Sequence, residues 1–221
     1  MNMNKKIARI GITMRVVDTP GYQEFRDALA QDWQEFMAYA LPEVQWVPIP
    51  NLGQAATDFL KNWAIDGVIL SGGNNVGSCL QRDTTEKTIL KYCIENDIPV
   101  FGVCRGLQMM QTFFGGSLSA CPKEKHVATE HNILITRESF EKFYSPKLEL
   151  KVNSFHQDGI LKSALSPQLQ SWAITDEDWV EGVEAKEYQM RAVMWHPERG
   201  RPLREEDRQM IRHFFGWGDI R

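Results

Sequence analysis

Apolar positions along the chain switch repeatedly between short continuous runs and spacings of three and four, the patterns of buried strands and amphipathic helices. Ile7 to Met14 reads as a first strand. Phe25, Leu29, Trp33, Phe36 and Met37 then stripe one face of a helix. The alternation repeats: Val44 to Ile49 as strand, Ala55 to Ala64 as helix with Leu60 and Trp63 inward, and Gly67 to Leu70 as a third strand ending in S-G-G-N-N. Asp83-Thr-Thr-Glu86 has the spacing of a helix capping box, and Ile89, Leu90, Cys93 and Ile94 carry that helix to a turn at Asn96-Asp97. Ile98 to Val103 is a β-branched and aromatic run suited to a strand buried on both faces, and Leu107, Met110, Gln111 and Phe114 follow at helical spacing. This order predicts an α/β fold: a mostly parallel central sheet with helices on both faces and function at the carboxyl ends of its strands.

Beyond Gly116 the apolar runs shorten. Asn132 to Thr136, Leu148 to Val152, Leu169 to Ile174 and Trp179 to Val183 read as a small antiparallel extension at one sheet edge. Met190 to Trp195 is the last core strand, and Leu203, Met210, Ile211, Phe214 and Phe215 stripe a final helix. No linker, repeat or low-complexity tract interrupts the pattern, so residues 1–221 are read as a single domain.

Composition narrows the partners. With 221 residues, 43% apolar and 24% charged, the chain has the make-up of a folded soluble domain, and a net charge of -4 gives no general attraction to nucleic acid or to an anionic membrane. The opening M-N-M-N-K-K-I-A-R breaks its apolar run at Arg9 and is too short for a signal or membrane segment, which predicts a cytoplasmic protein. Cys79, Cys93, Cys104 and Cys121 have neither C-x-x-C spacing nor disulfide-scaffold density, so reduced thiols are expected.

Cys104 stands apart because it falls at the predicted strand-to-helix turn, inside G-x-C-x-G formed with Gly102 and Gly106. Small neighbours let a strained residue stand clear of the sheet, and a helix N-terminus favours thiolate over thiol. The same cysteine also reads as a core residue between two turn glycines. A base and its orienter would decide for catalysis. His196-Pro197-Glu198 offers an imidazole and a carboxylate at the end of the last core strand, although H-P-E by itself is equally a surface turn.

Together, G-V-C-R-G-L-Q and the late M-W-H-P-E resemble the class I glutamine amidotransferase superfamily, whose triad is Cys, His and Glu in that order. The resemblance implies Cys104 as nucleophile, His196 as base and Glu198 as orienter. Leu70-Ser-Gly-Gly73 resembles the family's oxyanion loop, which implies that the backbone N–H groups of Gly73 and Arg105 bind the oxyanion. Cys-Arg-Gly, Arg82-Asp83 and Val152-Asn-Ser-Phe-His156-Gln157 are similar to the γ-glutamyl hydrolase branch, typified by γ-glutamyl-γ-aminobutyrate hydrolase, with a shorter connection between Gly73 and Arg82. In L-S-G-G-N-N, R-D-T-T-E and W-H-P-E-R the chain looks closer to the compact γ-glutamyl-CDP-amidate hydrolases of capsule phosphoramidate synthesis. That branch implies substrate contacts from Gln108, Asn153, Ser154 and His156. It also implies hydrolysis of a small γ-glutamyl amide, no cofactor, and no obligatory synthetase partner, with a homodimer left open.

Each of these residues has a plainer reading. Gln108 could be a solvated helix residue, and Asn153 and His156 part of a polar turn. Arg82 could be a surface charge or an anchor for a substrate carboxylate or phosphate, with Asp83 capping the helix. His126 and His131 are five apart, but no Cys or Asp/Glu in the sequence pattern completes a metal set, and no metal is expected. Cys79, Cys93 and Cys121 read as structural. The competing functions are an ammonia-delivering component of a synthetase and a non-catalytic binding protein on the same fold.

Overall fold

The structure, a computed structural model, describes residues 7–144 and 149–218. One nine-stranded sheet organises it. Strands β1 (Arg9–Thr13), β4 (Gln45–Ile49), β5 (Gly67–Leu70), β6 (Val100–Val103) and β13 (Met190–Val193) run parallel. Strands β12 (Val180–Ala185), β11 (Leu169–Ile174), β8 (Val127–Ile135) and β9 (Glu149–Phe155) extend it antiparallel at one edge, as the shorter apolar runs predict. The order across the sheet is β4-β1-β5-β6-β13-β12-β11-β8-β9. Leu148, expected to open the last of these strands, lies outside the described residues.

All four residues of β5 and of β6 are buried, the signature of central parallel strands covered on both faces. Alternation along β6 divides the core. Phe101 and Val103 join Trp33, Phe36, Trp195, Met210 and Phe215 beneath helices α1 (Asp32–Ala40) and α7 (Glu205–Phe214). On the opposite face Val100 joins Leu60, Ile89, Leu90, Leu107 and Met110 from α2 (Ala56–Asn62), α3 (Leu80–Glu95) and α4 (Arg105–Phe113). Two short helices, α5 (Lys123–His126) and α6 (Glu138–Tyr144), flank β8, and β7 (Ser119–Ala120) pairs with β10 (Asp158–Gly159). No helix among the described residues is long and apolar enough to cross a membrane.

Three local expectations are corrected. The stripe opening at Phe25 is not helical: β3 (Phe25–Ala28) pairs antiparallel with β2 (Arg15–Asp18), and Phe25 is 69% exposed. The Thr19-Pro20-Gly21 segment between them reverses the chain, with the Thr19 hydroxyl donating to the Glu24 carbonyl at 2.9 Å. Trp63 is half-exposed, because α2 ends at Asn62 and Ile65 takes the buried position, leaving Trp63 to stack on Phe59. Residues 83–86 are not a capping box. Cys79 occupies the N-cap of α3, so Asp83 and Glu86 fall inside the helix and are buried there.

Close approach of α4 to β5 sets the height of the strand-to-helix turn. A Cβ on Gly106 would lie 2.4 Å from the Leu70 carbonyl oxygen and 2.9 Å from Leu70 Cβ, contacts that only backbone movement relieves. Gly106→Ala is therefore expected to destabilise the fold by about 1–3 kcal/mol, the usual range for overpacking. Urea unfolding of the variant against the parent measures it; an unchanged midpoint would show that α4 is free to shift.

Candidate active site

Cys104 links β6 to α4 with φ 51° and ψ -101°, a conformation that non-glycine residues rarely hold and that clusters at functional sites. Its N–H donates to the Val193 carbonyl at 2.8 Å, tying the turn to β13. Because β13 pairs with β6 in register, Val193 opposite Val103, the chain leaving β13 brings His196 to the turn. The imidazole stands close enough to Cys104 for each group to shift the other's titration. Its Nδ1 lies 2.7 Å from Glu198 Oε1, which leaves Nε2 for the thiol. His196 and Glu198 are buried, at 2% and 1% exposure. The structure thus brings Cys104, His196 and Glu198 together as the motifs predict.

Burial alone would raise the Cys104 thiol. The charge and hydrogen bond of His196, with a further contribution from the charge of His156, outweigh it and hold the thiol below its ordinary value. Burial likewise opposes the imidazolium of His196, yet the charges of Cys104 and Glu198 and their hydrogen bonds push it up to about 9. Both shifts favour a thiolate–imidazolium pair, the nucleophilic form. Cys93, in apolar surroundings, is raised by burial instead.

Gly72 and Gly73 form the opposite wall. A Cβ on Gly72 would lie 2.5 Å from His196 Cε1, so only glycine admits the imidazole here. Gly73 follows with φ +99°. Arg105 is the first residue of α4, and its N–H has no acceptor four residues back within the helix. These are the amides the resemblance implies for an oxyanion.

The expected substrate contacts come out differently. Arg82 is fully buried and cannot anchor a ligand. Its Nε donates to Glu86 at 2.9 Å, and its other nitrogens to Asn74 Oδ1 and to the carbonyls of Ser71 and Gly72 at 2.8–3.1 Å. The Arg105 guanidinium is buried against Asp83 and Glu86, so only its backbone remains for chemistry. Gln108 is not solvated; its amide donates to the Asp158 carbonyl at 2.7 Å. Ser154 donates its hydroxyl to the His126 carbonyl at 2.7 Å. Asn153 grips the backbone of His196 from both sides, accepting from its N–H at 2.8 Å and donating to its C=O at 2.9 Å, which makes it a positioning residue. His156 is buried between Cys121 and His126. Each of these side chains is committed to protein, a burial of polar groups that a single sequence does not display.

Sequence reasoning overlooked the residues at the mouth. A small cleft beside the triad is lined by Arg15, Leu29, Trp33, Ser71, Gly72, Glu198 and Arg199. Arg15 is exposed, packs its aliphatic stem against Gly73, and forms no ion pair with a described residue. Arg199 lies 5.0 Å over the ring of Phe155, which is 43% exposed and meets the His196 ring at 5.6 Å. The signal for Arg15 was its place just beyond the carboxyl end of β1, where α/β sheets carry their sites.

Comparison with known proteins agrees with this architecture. The family model for peptidase C26 matches residues 9–198, and the chain belongs to that family, of the class I glutamine amidotransferase-like type. It is 31% identical to the gamma-glutamyl-CDP-amidate hydrolase of Campylobacter jejuni, over 93% of this chain and 96% of that one. It is 29% identical to one subunit of the glutamine-hydrolyzing GMP synthase of Pyrococcus furiosus, over 68% and 74% of the two chains. Among solved structures, a GMP synthase subunit from Thermoplasma acidophilum shares the fold with a TM-score of 0.70 at 20% identity, covering 97% of this chain and 95% of its own.

Two outcomes are expected. Alkylation of Cys104 by iodoacetamide, followed by peptide mapping, should stay fast as pH falls from 9 towards 7, because the imidazolium is present below about 9 and stabilises the thiolate. In His196→Ala only burial and weaker charges remain, and the profile should move to higher pH; coincident profiles would refute the pairing. Arg105→Ala should lose about 3–5 kcal/mol of stability in urea unfolding, because it leaves buried Asp83 without a cation and Glu86 with Arg82 alone.

Proposed function

We propose that this chain is a stand-alone cysteine hydrolase of a γ-glutamyl amide. The observation that carries the reading is the convergence of Cys104, His196 and Glu198 at one strained turn. The Cys104 thiolate attacks the side-chain carbonyl carbon, and the oxygen takes up the electron pair facing the N–H groups of Gly73 and Arg105. The tetrahedral adduct collapses to a γ-glutamyl thioester as His196 gives its proton to the leaving nitrogen. A water molecule then loses a proton to His196, attacks the thioester and releases glutamate and the free thiolate. Glu198 holds the imidazole tautomer throughout. The reaction consumes one water and needs no cofactor.

For the leaving group we propose a nucleotide phosphoramidate, released from γ-glutamyl-CDP-amidate in capsule phosphoramidate synthesis. The support is the 31% identity to a hydrolase of that name across nearly the whole of both chains, together with Arg15 and Arg199 at the mouth. These two take the place of the buried Arg82 as the cations for phosphate. An ammonia-delivering role is the second reading, favoured by the similarity to a component of a glutamine-hydrolyzing GMP synthase.

Cys104→Ala should lower glutamate release by on the order of 10⁴-fold or more with unchanged circular dichroism, and adding His196→Ala should cost little further, since nucleophile and base act as a unit. The value of kcat/KM for γ-glutamyl-CDP-amidate should exceed those for glutamine and γ-glutamyl-γ-aminobutyrate. It should also fall with added salt and in Arg15→Ala and Arg199→Ala, as phosphate pairing is lost. Preference for γ-glutamyl-γ-aminobutyrate without salt dependence would replace the nucleotide reading with a polyamine-catabolic one. Glutamine hydrolysis that rises only on adding a synthetase would favour the ammonia-delivering reading.

A further inference from the structure

The histidines that look isolated in the sequence meet a carboxylate in the fold. His126 ends α5, His131 lies on β8, His156 follows β9, and Glu181 comes from β12. The ligating atoms of His126, His131 and Glu181 all lie within 4.8 Å of one another. His156 Nε2 is 3.3 Å from His126 Nδ1 and 3.5 Å from Glu181 Oε1, while His131 Nε2 is 3.4 Å from the same Glu181 oxygen. Ligand atoms bound at about 2.0–2.2 Å around a tetrahedral ion are separated by roughly 3.3–3.6 Å, a spacing that the His131–Glu181 pair already has.

Tautomers strengthen the case. His131 Nδ1 is 3.2 Å from the Lys125 carbonyl and His156 Nδ1 is 3.1 Å from the Asp158 carbonyl. A carbonyl only accepts, so each Nδ1 carries a hydrogen, and once the ring is neutral, the form a metal binds, Nε2 presents its lone pair towards Glu181. An outward N–H held by a backbone carbonyl is the arrangement metal-ligating histidines adopt. Both oxygens of Glu181, which is 1% exposed, and Nε2 of His131 have no hydrogen-bond partner among the described residues. A buried carboxylate without hydrogen bonds is costly unless a cation lies beside it. Cys121 approaches His156 at Nδ1, 3.7 Å away on the other side of the ring, and so lies outside this set.

We propose that His126, His131 and Glu181 bind one divalent transition-metal ion of the zinc type. Two imidazoles with one carboxylate suit zinc. The ion would brace the end of β9, where the His126 carbonyl accepts from Ser154 Oγ at 2.7 Å and from the His156 N–H at 3.1 Å, one residue from the Asn153 grip on His196. The proposal stands independently of the substrate.

The test uses the untagged full chain. Metal content is measured by inductively coupled plasma mass spectrometry after purification without chelator. Chelator-treated protein is then titrated with Zn(II) by calorimetry and by thermal denaturation, and with Co(II) by visible absorption. One equivalent per chain, a rise in Tm with Zn(II), and tetrahedral Co(II) bands are expected, all lost in Glu181→Gln and His131→Ala. His131 is the more exposed of the two, with 12% of its side chain accessible, so its variant is the safer one for folding. A parent chain that takes up no Zn(II) and whose Tm does not move would overturn the proposal and leave a proton-shared imidazole cluster. Equal binding by parent and variants would overturn it as well, by placing the ion elsewhere.

Discussion

Two arginines and two carboxylates buried beneath the Cys104 turn are the constraint on which the site rests. Removing charges from water is tolerable only when every one is paired, and Arg82, Asp83, Glu86 and Arg105 meet that condition by joining α3 to the first residue of α4. Glu86 also accepts from Thr13 at the end of β1, and Arg82 reaches the carbonyls of Ser71 and Gly72. Three strand ends, those of β1, β5 and β6, are thereby fixed relative to one another through one set of ionic contacts. The glycine loop and the cysteine turn keep their separation because the charges below them cannot part without leaving one exposed to an apolar interior.

Above this base the site is assembled from backbone. Cys104 holds a strained φ because its N–H is bound to β13 and α4 is seated close on β5. The imidazole fits because no Cβ stands at Gly72. The acid–base chemistry then follows from two opposing influences: burial, which disfavours both ions, and their mutual attraction, which prevails.

The parts legible in the sequence were those with a local chemical signature. A buried β-branched run followed by G-x-C-x-G marked the turn, and H-P-E at the end of Met190 to Trp195 marked the base, because each pattern lies within a few residues. What escaped was anything decided by distant packing. Arg82 and Gln108 read as candidate ligands for substrate, and only the fold shows them facing Glu86 and the Asp158 carbonyl. Phe25 and Leu29 mimic a helical stripe, whereas the Pro20-Gly21 turn sends the chain into a hairpin. Glu181 lies fifty residues from His131 in sequence, and only β11, pairing with both β8 and β12, brings their strands near enough for the two to meet.

The hold of Asn153 on His196 has a mechanical consequence. Asn153 belongs to β9, which has a sheet neighbour on one side only, whereas His196 follows β13 near the middle of the same sheet. Edge strands open more readily than central ones, since fewer contacts must break. His196 is thus tethered to the margin of the sheet rather than to its centre. Local opening of β9 would release the His196 backbone while β5, β6 and their helices stay paired.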